Sequence, residues 1–148
     1  MINVKVYNCS GNALPKYETI GSAGMDVRAM CSEPIVIAPG KSAIIPTGLH
    51  VEIPVGYEIQ VRSRSGLAAK KQIFVLNGIG TIDSDYRNGI GVILMNLGDS
   101  DFIVESGERI AQLVLNEVPQ INWIPVNTLD NLSSTDRGMG GFGSTNTK

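Results

Sequence analysis

Short runs rich in valine and isoleucine recur along this chain, each stopped by Pro, Gly or Asn: residues 2–7, 35–37, 43–45, 49–53, 57–62, 73–76, 90–95, 102–104, 110–115 and 121–126. β-Branched side chains suit a pleated, half-buried surface, and runs this brief bury their apolar faces only by packing on one another. Turn signals at Pro39-Gly40, Pro54-Val55-Gly56 and Asn88-Gly89 fall between them, and Asn-Gly in particular predicts a hairpin. The pattern predicts an all-β fold, a barrel or sandwich of many short strands. One stretch departs from it. Leu67-Ala68-Ala69-Lys70-Lys71 has helix-forming composition, with Ser65 just before it as the expected N-cap, so one short helix is predicted.

At 148 residues and 43% hydrophobic content the chain has the size of one domain with a proper core. Its 12 basic and 14 acidic side chains give a formal charge of −2, so no overall positive field draws it to a nucleic-acid backbone or an anionic membrane. A single small anion remains open as a ligand. The opening Met1-Ile2-Asn3-Val4-Lys5-Val6 is no signal core and no run reaches membrane-spanning length, which leads to an expected location in the cytoplasm, or wherever an unseen transit segment was removed. Cys9 and Cys31 form no metal-site pattern and are expected to be buried thiols. His50, the single histidine, lies in the alternating run Leu49-His50-Val51-Glu52-Ile53 with no metal-ligand partner, which argues against a zinc deaminase, a metalloprotease or a Ser-His-Asp hydrolase.

After residue 126 the polar run 127–136 reads as a tether, and it leads into Arg137-Gly138-Met139-Gly140-Gly141-Phe142-Gly143-Ser144-Thr145. A plain linker has no reason to combine a cation, an aromatic ring, hydroxyls and glycines. Glycine lets backbone N–H groups approach an anion, Arg137 can fork onto phosphate oxygens, Ser144 and Thr145 can donate, and Phe142 offers a face to a flat ring. The inventory suits a nucleotide with several phosphates. No Gly-Lys-Ser/Thr ending or following helix makes it a Walker A loop, so the grip expected here is a closing flap. The expected organisation is a β domain over residues 1–126 and an arm over 127–148.

Arg64-Ser65-Gly66 stands where a strand gives way to the short helix, a place where backbone N–H groups and the helix dipole favour a phosphate; solvated strand-end cations at Arg62 and Arg64 explain the same residues equally well. In Thr81-Ile82-Asp83-Ser84-Asp85-Tyr86 two carboxylates share a face if the segment is extended and splay apart if it turns. An acid beside a triphosphate can orient and deprotonate a water, while an ordinary turn aspartate bonds only its own backbone. Gly78 and Gly80 just upstream would admit a ligand close to the main chain. Gln112 interrupts an apolar strand, and Asp26 is either a turn acid or an outer-shell partner of hydrated Mg²⁺.

Taken in order, Ala23-Gly24-Met25-Asp26-Val27-Arg28-Ala29, Arg64-Ser65-Gly66-Leu67-Ala68, the stretch from Asn77 to Asp85-Tyr86-Arg87, Gly107-Glu108-Arg109-Ile110-Ala111-Gln112-Leu113, and Arg137 to Thr145 resemble the five motifs of the trimeric dUTPase family. The resemblance spans almost the whole chain. It implies a jelly-roll-like β-barrel, a homotrimer whose active sites draw motifs from all three subunits, and a flexible C-terminal arm closing over a neighbour's site. It further implies Mg²⁺-assisted attack of water on the α-phosphorus of dUTP, giving dUMP and pyrophosphate. By matching position, Asp83 resembles the carboxylate that activates water. Asn77 resembles the side chain that reads uracil, with backbone near Thr81, Ile82 and Gly91 completing the pocket, and Tyr86 the ring under the sugar. Arg64, Ser65, Gly66 and Gln112 would hold phosphates and water; Arg137, Gly143, Ser144 and Thr145 the γ end; Phe142 would cover the base. Mg²⁺ would be held chiefly by phosphates and water, with Asp26 at most in an outer shell.

The sequence departs from the family pattern at Ser63, where many members have Pro, at Asn88-Gly89, which reverses a common Gly-x order, at Met139 and at Asn146. Loss of the proline implies a looser approach to the phosphate loop. The rival readings are a dCTP deaminase, which resembles this fold but needs a different catalytic acid, a non-catalytic regulator and a purely structural β trimer.

Overall fold

The computed structural model describes residues 1–141. In chain order the strands are β1 (Lys5–Asn8), β2 (Met25–Arg28), β3 (Ile35–Ile37), β4 (Ser42–Pro46), β5 (Leu49–Glu52) and β6 (Tyr57–Arg62). The helix α1 (Ser65–Lys71) follows, then β7 (Ile73–Val75), β8 (Ile79–Ile82), β9 (Gly91–Asn96), β10 (Phe102–Val104) and β11 (Arg109–Glu117). Every pairing is antiparallel, and the strands form four sheets: β2-β11-β6-β8, β4-β9-β7, β1-β5 and β10-β3. The fold is therefore mostly β with one short helix. Among the described residues the ladders do not join into a closed barrel.

Period-two alternation builds the core. In β9 Val92, Leu94 and Asn96 point inward while the residues between them are only half-buried. Val61 and Ile59 of β6, Leu113 of β11, Val27 of β2 and Ile82 of β8 complete the apolar cluster from the other large sheet. Two buried polar side chains tie strand ends together. Thr47 donates its hydroxyl to Ile90 O at 2.8 Å across the β4–β5 connection. Asn96 donates to Ile37 O at 2.7 Å and Ser100 O at 2.8 Å and accepts from Gly98 N, so its desolvation is offset on both sides of the amide.

Several expectations are corrected. Residues 121–126 are not a strand: Ile121, Trp123 and Ile124 are 69%, 81% and 81% exposed, and a run of strand-forming residues without a ladder to join stays unpaired. Asn88-Gly89 closes no hairpin, because β8 pairs with β6 whereas β9 pairs with β4 and β7. The helix begins one residue earlier than the capping argument placed it: the Arg64 carbonyl accepts from Leu67 and Ala68, which makes Arg64 the N-cap and Ser65 the first helical residue. Cys9 is exposed and Cys31 half-buried, each thiol resting against a backbone carbonyl, of Gly48 and Val104 respectively. Strands β2 and β8 went unpredicted. Among the described residues no helix is long and apolar enough to cross a membrane.

Candidate active site

The β2-β11-β6 register sets Asp26, Gln112 and Arg62 side by side in one row across the sheet. Directly opposed residues share a face, so this row is the polar side of a sheet whose other side carries Val27, Leu113 and Val61 into the core. Gln112 donates its amide to Ser63 O at 2.9 Å, just ahead of Arg64-Ser65-Gly66. Gly24 gives that amide room, since a Cβ there would collide with the Gln112 side chain. Ser63 is held a second time: its hydroxyl accepts from Val75 N at 2.9 Å, joining the end of β6 to β7.

Asp26 is bridged by two guanidinium groups. Arg64 Nε lies 3.1 Å from one carboxylate oxygen and Arg109 Nη1 3.3 Å from the other, and Arg64 Nη1 also donates to Arg109 O at 2.9 Å. Asp26 and Arg64 keep only 26% and 29% of their side-chain surface, so solvent screens this pair less than a fully exposed one. The cluster fixes the β6–α1 turn, and it commits Nε and one Nη1 hydrogen of Arg64 to the protein. The second Nη group and the first-turn N–H groups of α1 remain for an anion. Sequence reasoning missed Arg109, whose approach depends on the β11 register shift between Arg109 and Ala111.

A cavity of about 180 Å³ opens on the far side of β6. Asn77, Thr81, Ile82, Tyr86 and Gly91, the positions singled out for base and sugar, all line it, together with the apolar walls Val61, Val75 and Ile93. The turn from β7 to β8 positions Asn77: Gly78 adopts φ +73°, its N–H donates to Val75 O, and Ile79 N donates to Asn77 O at 2.8 Å. Gly80 faces Val61 directly, and a Cβ there would lie 3.1 Å from Val61 Cβ and 3.4 Å from Asn77 Nδ2. Gly91 likewise leaves space that a side chain would lose to Ile44.

Asp83 is the first residue beyond β8, next to the cavity wall, and it is exposed. Residues 84 and 85 form a turn in which Tyr86 N donates to Asp83 O at 3.2 Å, so Asp83 and Asp85 are splayed rather than paired. Tyr86, 38% exposed, donates its hydroxyl to Gly89 O at 3.1 Å. Arg137 is not brought to either cluster within this chain; it donates to Gly140 O at 2.9 Å inside its own segment. Phe142, Gly143, Ser144 and Thr145 lie outside the described residues.

For a divalent cation, no three of His, Cys, Asp and Glu gather into a ligand cage among the described residues. Both Asp26 oxygens face guanidinium groups. Asp26, with its charge shared by two guanidinium groups, is not free to bind a cation directly, so a divalent ion here would have to be held by phosphate oxygens and water.

The family model of dUTPase matches residues 11–146. The deoxyuridine 5'-triphosphate nucleotidohydrolase of Chlamydia muridarum is 60% identical over 136 residues, covering 92% of each chain. That of Chlamydia pneumoniae is 57% identical with the same coverage. Among solved structures, the Staphylococcus bacteriophage 80alpha dUTPase with dUpNHpp superposes with a TM-score of 0.81 at 28% identity, covering 97% of this chain and 98% of that one. A mutant of that phage enzyme, also with dUpNHpp, gives 0.84 at 26% identity over 96% and 97%.

Proposed function

The chain belongs to the dUTPase family, and from that premise we propose how its residues carry out the hydrolysis of dUTP to dUMP and pyrophosphate. The observation that carries the proposal is the convergence of Asn77, Thr81, Ile82, Tyr86 and Gly91 on one cavity. At about 180 Å³ that cavity lies below the ~300 Å³ at which pockets for drug-sized ligands begin, and it suits one flat ring. Asn77 and the backbone near Thr81, Ile82 and Gly91 read the base by donor and acceptor pattern; a wrong base leaves buried polar groups unpaired. Tyr86 packs under the deoxyribose, its ring held by the bond to Gly89 O.

Asp83 is the general base. It orients a water on the α-phosphorus and accepts its proton, while the bond to the bridging oxygen breaks and pyrophosphate leaves. Ser65, Gly66 and the free Nη group of Arg64 hold the phosphates; Gln112 keeps the turn in place through Ser63 O and borders the same anion. Mg²⁺, carried by the three phosphates and water with Asp26 no closer than its outer shell, would draw negative charge from the phosphate oxygens. Residues 1–126 form the catalytic body and 127–148 an arm, in which Arg137, Gly143, Ser144 and Thr145 bind the γ end and Phe142 covers the base. The working unit is a homotrimer with a jelly-roll-like barrel in each subunit. Support for exchange between copies comes from the apolar side chains of Ile121, Trp123 and Ile124, which lie exposed instead of packing on their own core.

The test is Asp83→Asn. It keeps the shape and removes the base, so turnover should fall by roughly 10²–10⁴-fold with dUpNHpp affinity retained. Undiminished turnover would remove Asp83 from the mechanism.

A further inference from the structure

The loop of residues 83–90 carries Asp83 and Tyr86, yet it crosses from β8 in one sheet to β9 in another, so neither ladder fixes it. Its internal bonds, Tyr86 N to Asp83 O, Tyr86 Oη to Gly89 O and Gly89 N to Asn88 Oδ1, shape the loop, and its far end is fixed at Ile90, whose N–H donates to Leu49 O at 2.8 Å and whose carbonyl accepts from Thr47. Anchorage midway comes from the outer side of β5. Arg87 Nη1 reaches Ser84 O at 2.7 Å, Tyr86 O at 3.0 Å and Val51 O at 3.5 Å, and His50 Nδ1 lies 3.1 Å from Arg87 O. A carbonyl oxygen only accepts, so the hydrogen in that bond sits on Nδ1.

His50 is itself well placed. It is directly opposite Tyr7 in the β1–β5 ladder, with ring centroids 5.8 Å apart and planes tilted by 46°. Gly89 passes along its other edge, where a Cβ would rest 3.5 Å from Cε1 and Nε2. Further along the same strand Lys5 donates to Glu52 at 2.8 Å, and this bond, with the ammonium charge, holds the Glu52 carboxyl below its ordinary value; Glu52 is thus engaged away from the imidazole.

We infer that His50 is a positioning residue for the reaction: its Nδ1–H holds the Arg87 carbonyl and thereby fixes the backbone on which Asp83 and Tyr86 are carried. The inference rests on the roles given to Asp83 and Tyr86 above. Displacing Asp83 from its attack geometry lowers the chemical step, while Tyr86, carried on the same loop under the sugar, adds a smaller loss of binding because the phosphate turn and Asn77 are held elsewhere.

The experiment compares His50→Ala, His50→Asn and His50→Gln in the full chain, with Asp83→Asn alongside, by steady-state hydrolysis of dUTP and by thermal melting. The side-chain nitrogen of Asn occupies the place of Nδ1, whereas that of Gln corresponds to Nε2. His50→Ala should lower kcat by roughly 2- to 10-fold, the worth of one ordinary hydrogen bond, with KM within about twofold. His50→Asn should restore kcat and His50→Gln should not. Packing against Tyr7 would not distinguish the two amides, so this comparison stands even if His50→Ala melts early. Wild-type kcat in His50→Ala, or equal behaviour of the Asn and Gln variants, would overturn the inference. Full turnover by Asp83→Asn would instead refute the reading of the loop, whereas an inactive Asp83→Asn beside an unaffected His50→Ala would reject the role of His50 alone.

Discussion

Gly80→Ala puts one methyl group into the narrowest place between the sheet and the base cavity. The new Cβ would stand 3.1 Å from Val61 Cβ and 3.4 Å from Asn77 Nδ2. Carbon atoms rest at about 3.5–4.0 Å, so the first contact is short by roughly half an ångström. The contact is with Val61 Cβ, which no rotamer change moves, and Val61 is 2% exposed, so the strands must part there, with Asn77 yielding at the second contact. Overpacking of this kind costs about 1–3 kcal/mol. For a domain of this size that corresponds to a melting temperature lower by roughly 2–12 °C at fixed protein concentration. Displacing the Asn77 amide should also weaken base reading, so kcat/KM for dUTP should fall by roughly 10-fold or more while the ratio of dUTP to dCTP turnover narrows. Differential scanning calorimetry and parallel kinetics on the two nucleotides measure both effects. A variant with wild-type melting and wild-type discrimination would show that the Gly80–Val61–Asn77 contact does not set the pocket.

Other perturbations separate the remaining parts of the site. Asp26→Asn leaves Arg64 and Arg109 without their shared counter-charge and should destabilise by about 1–2 kcal/mol, with KM rising as the phosphate turn loosens; melting and kinetics read both. Deletion of residues 137–148 should leave the melting temperature nearly unchanged and reduce kcat/KM strongly, because every strand among the described residues precedes the cut. Chelation with EDTA should suppress turnover, added Mg²⁺ should restore it, and circular dichroism should not change, since the described residues offer no ligand cage whose loss would unfold the chain.

Strands announced themselves where both faces obeyed simple alternation. Residues 35–37, 57–62 and 102–104 match β3, β6 and β10 end to end. Strand β8 was hidden by Gly80, whose small size serves the cavity and which carries no strand signal of its own. Strand β2 was hidden because only Val27 among Met25-Asp26-Val27-Arg28 is buried, the neighbouring Asp26 belonging to the polar row. The opposite error arose at 121–126, where strand propensity is real but pairing is a property of two segments, and among the described residues no second segment pairs with it. In the site, Asn77, Thr81, Ile82, Tyr86 and Gly91 were assigned through the resemblance to the family's motifs rather than from any pattern in the residues themselves, and the fold gathers them around one cavity. The Asp26 bridge was not, since Arg109 reaches it only through the β2–β11 register and its local shift. The Ser63 hydroxyl bond to Val75 N was equally illegible, because it joins the ends of two strands that belong to different sheets.

Pyrophosphate release with Mg²⁺ from dUTP, dCTP, dTTP and UTP, measured side by side, tests the central claim most directly. The account predicts strong preference for dUTP: dCTP and dTTP rejected at the Asn77 cavity and UTP at Tyr86. Equal release from all four nucleotides, ammonia release from dCTP, or no release from dUTP would contradict it.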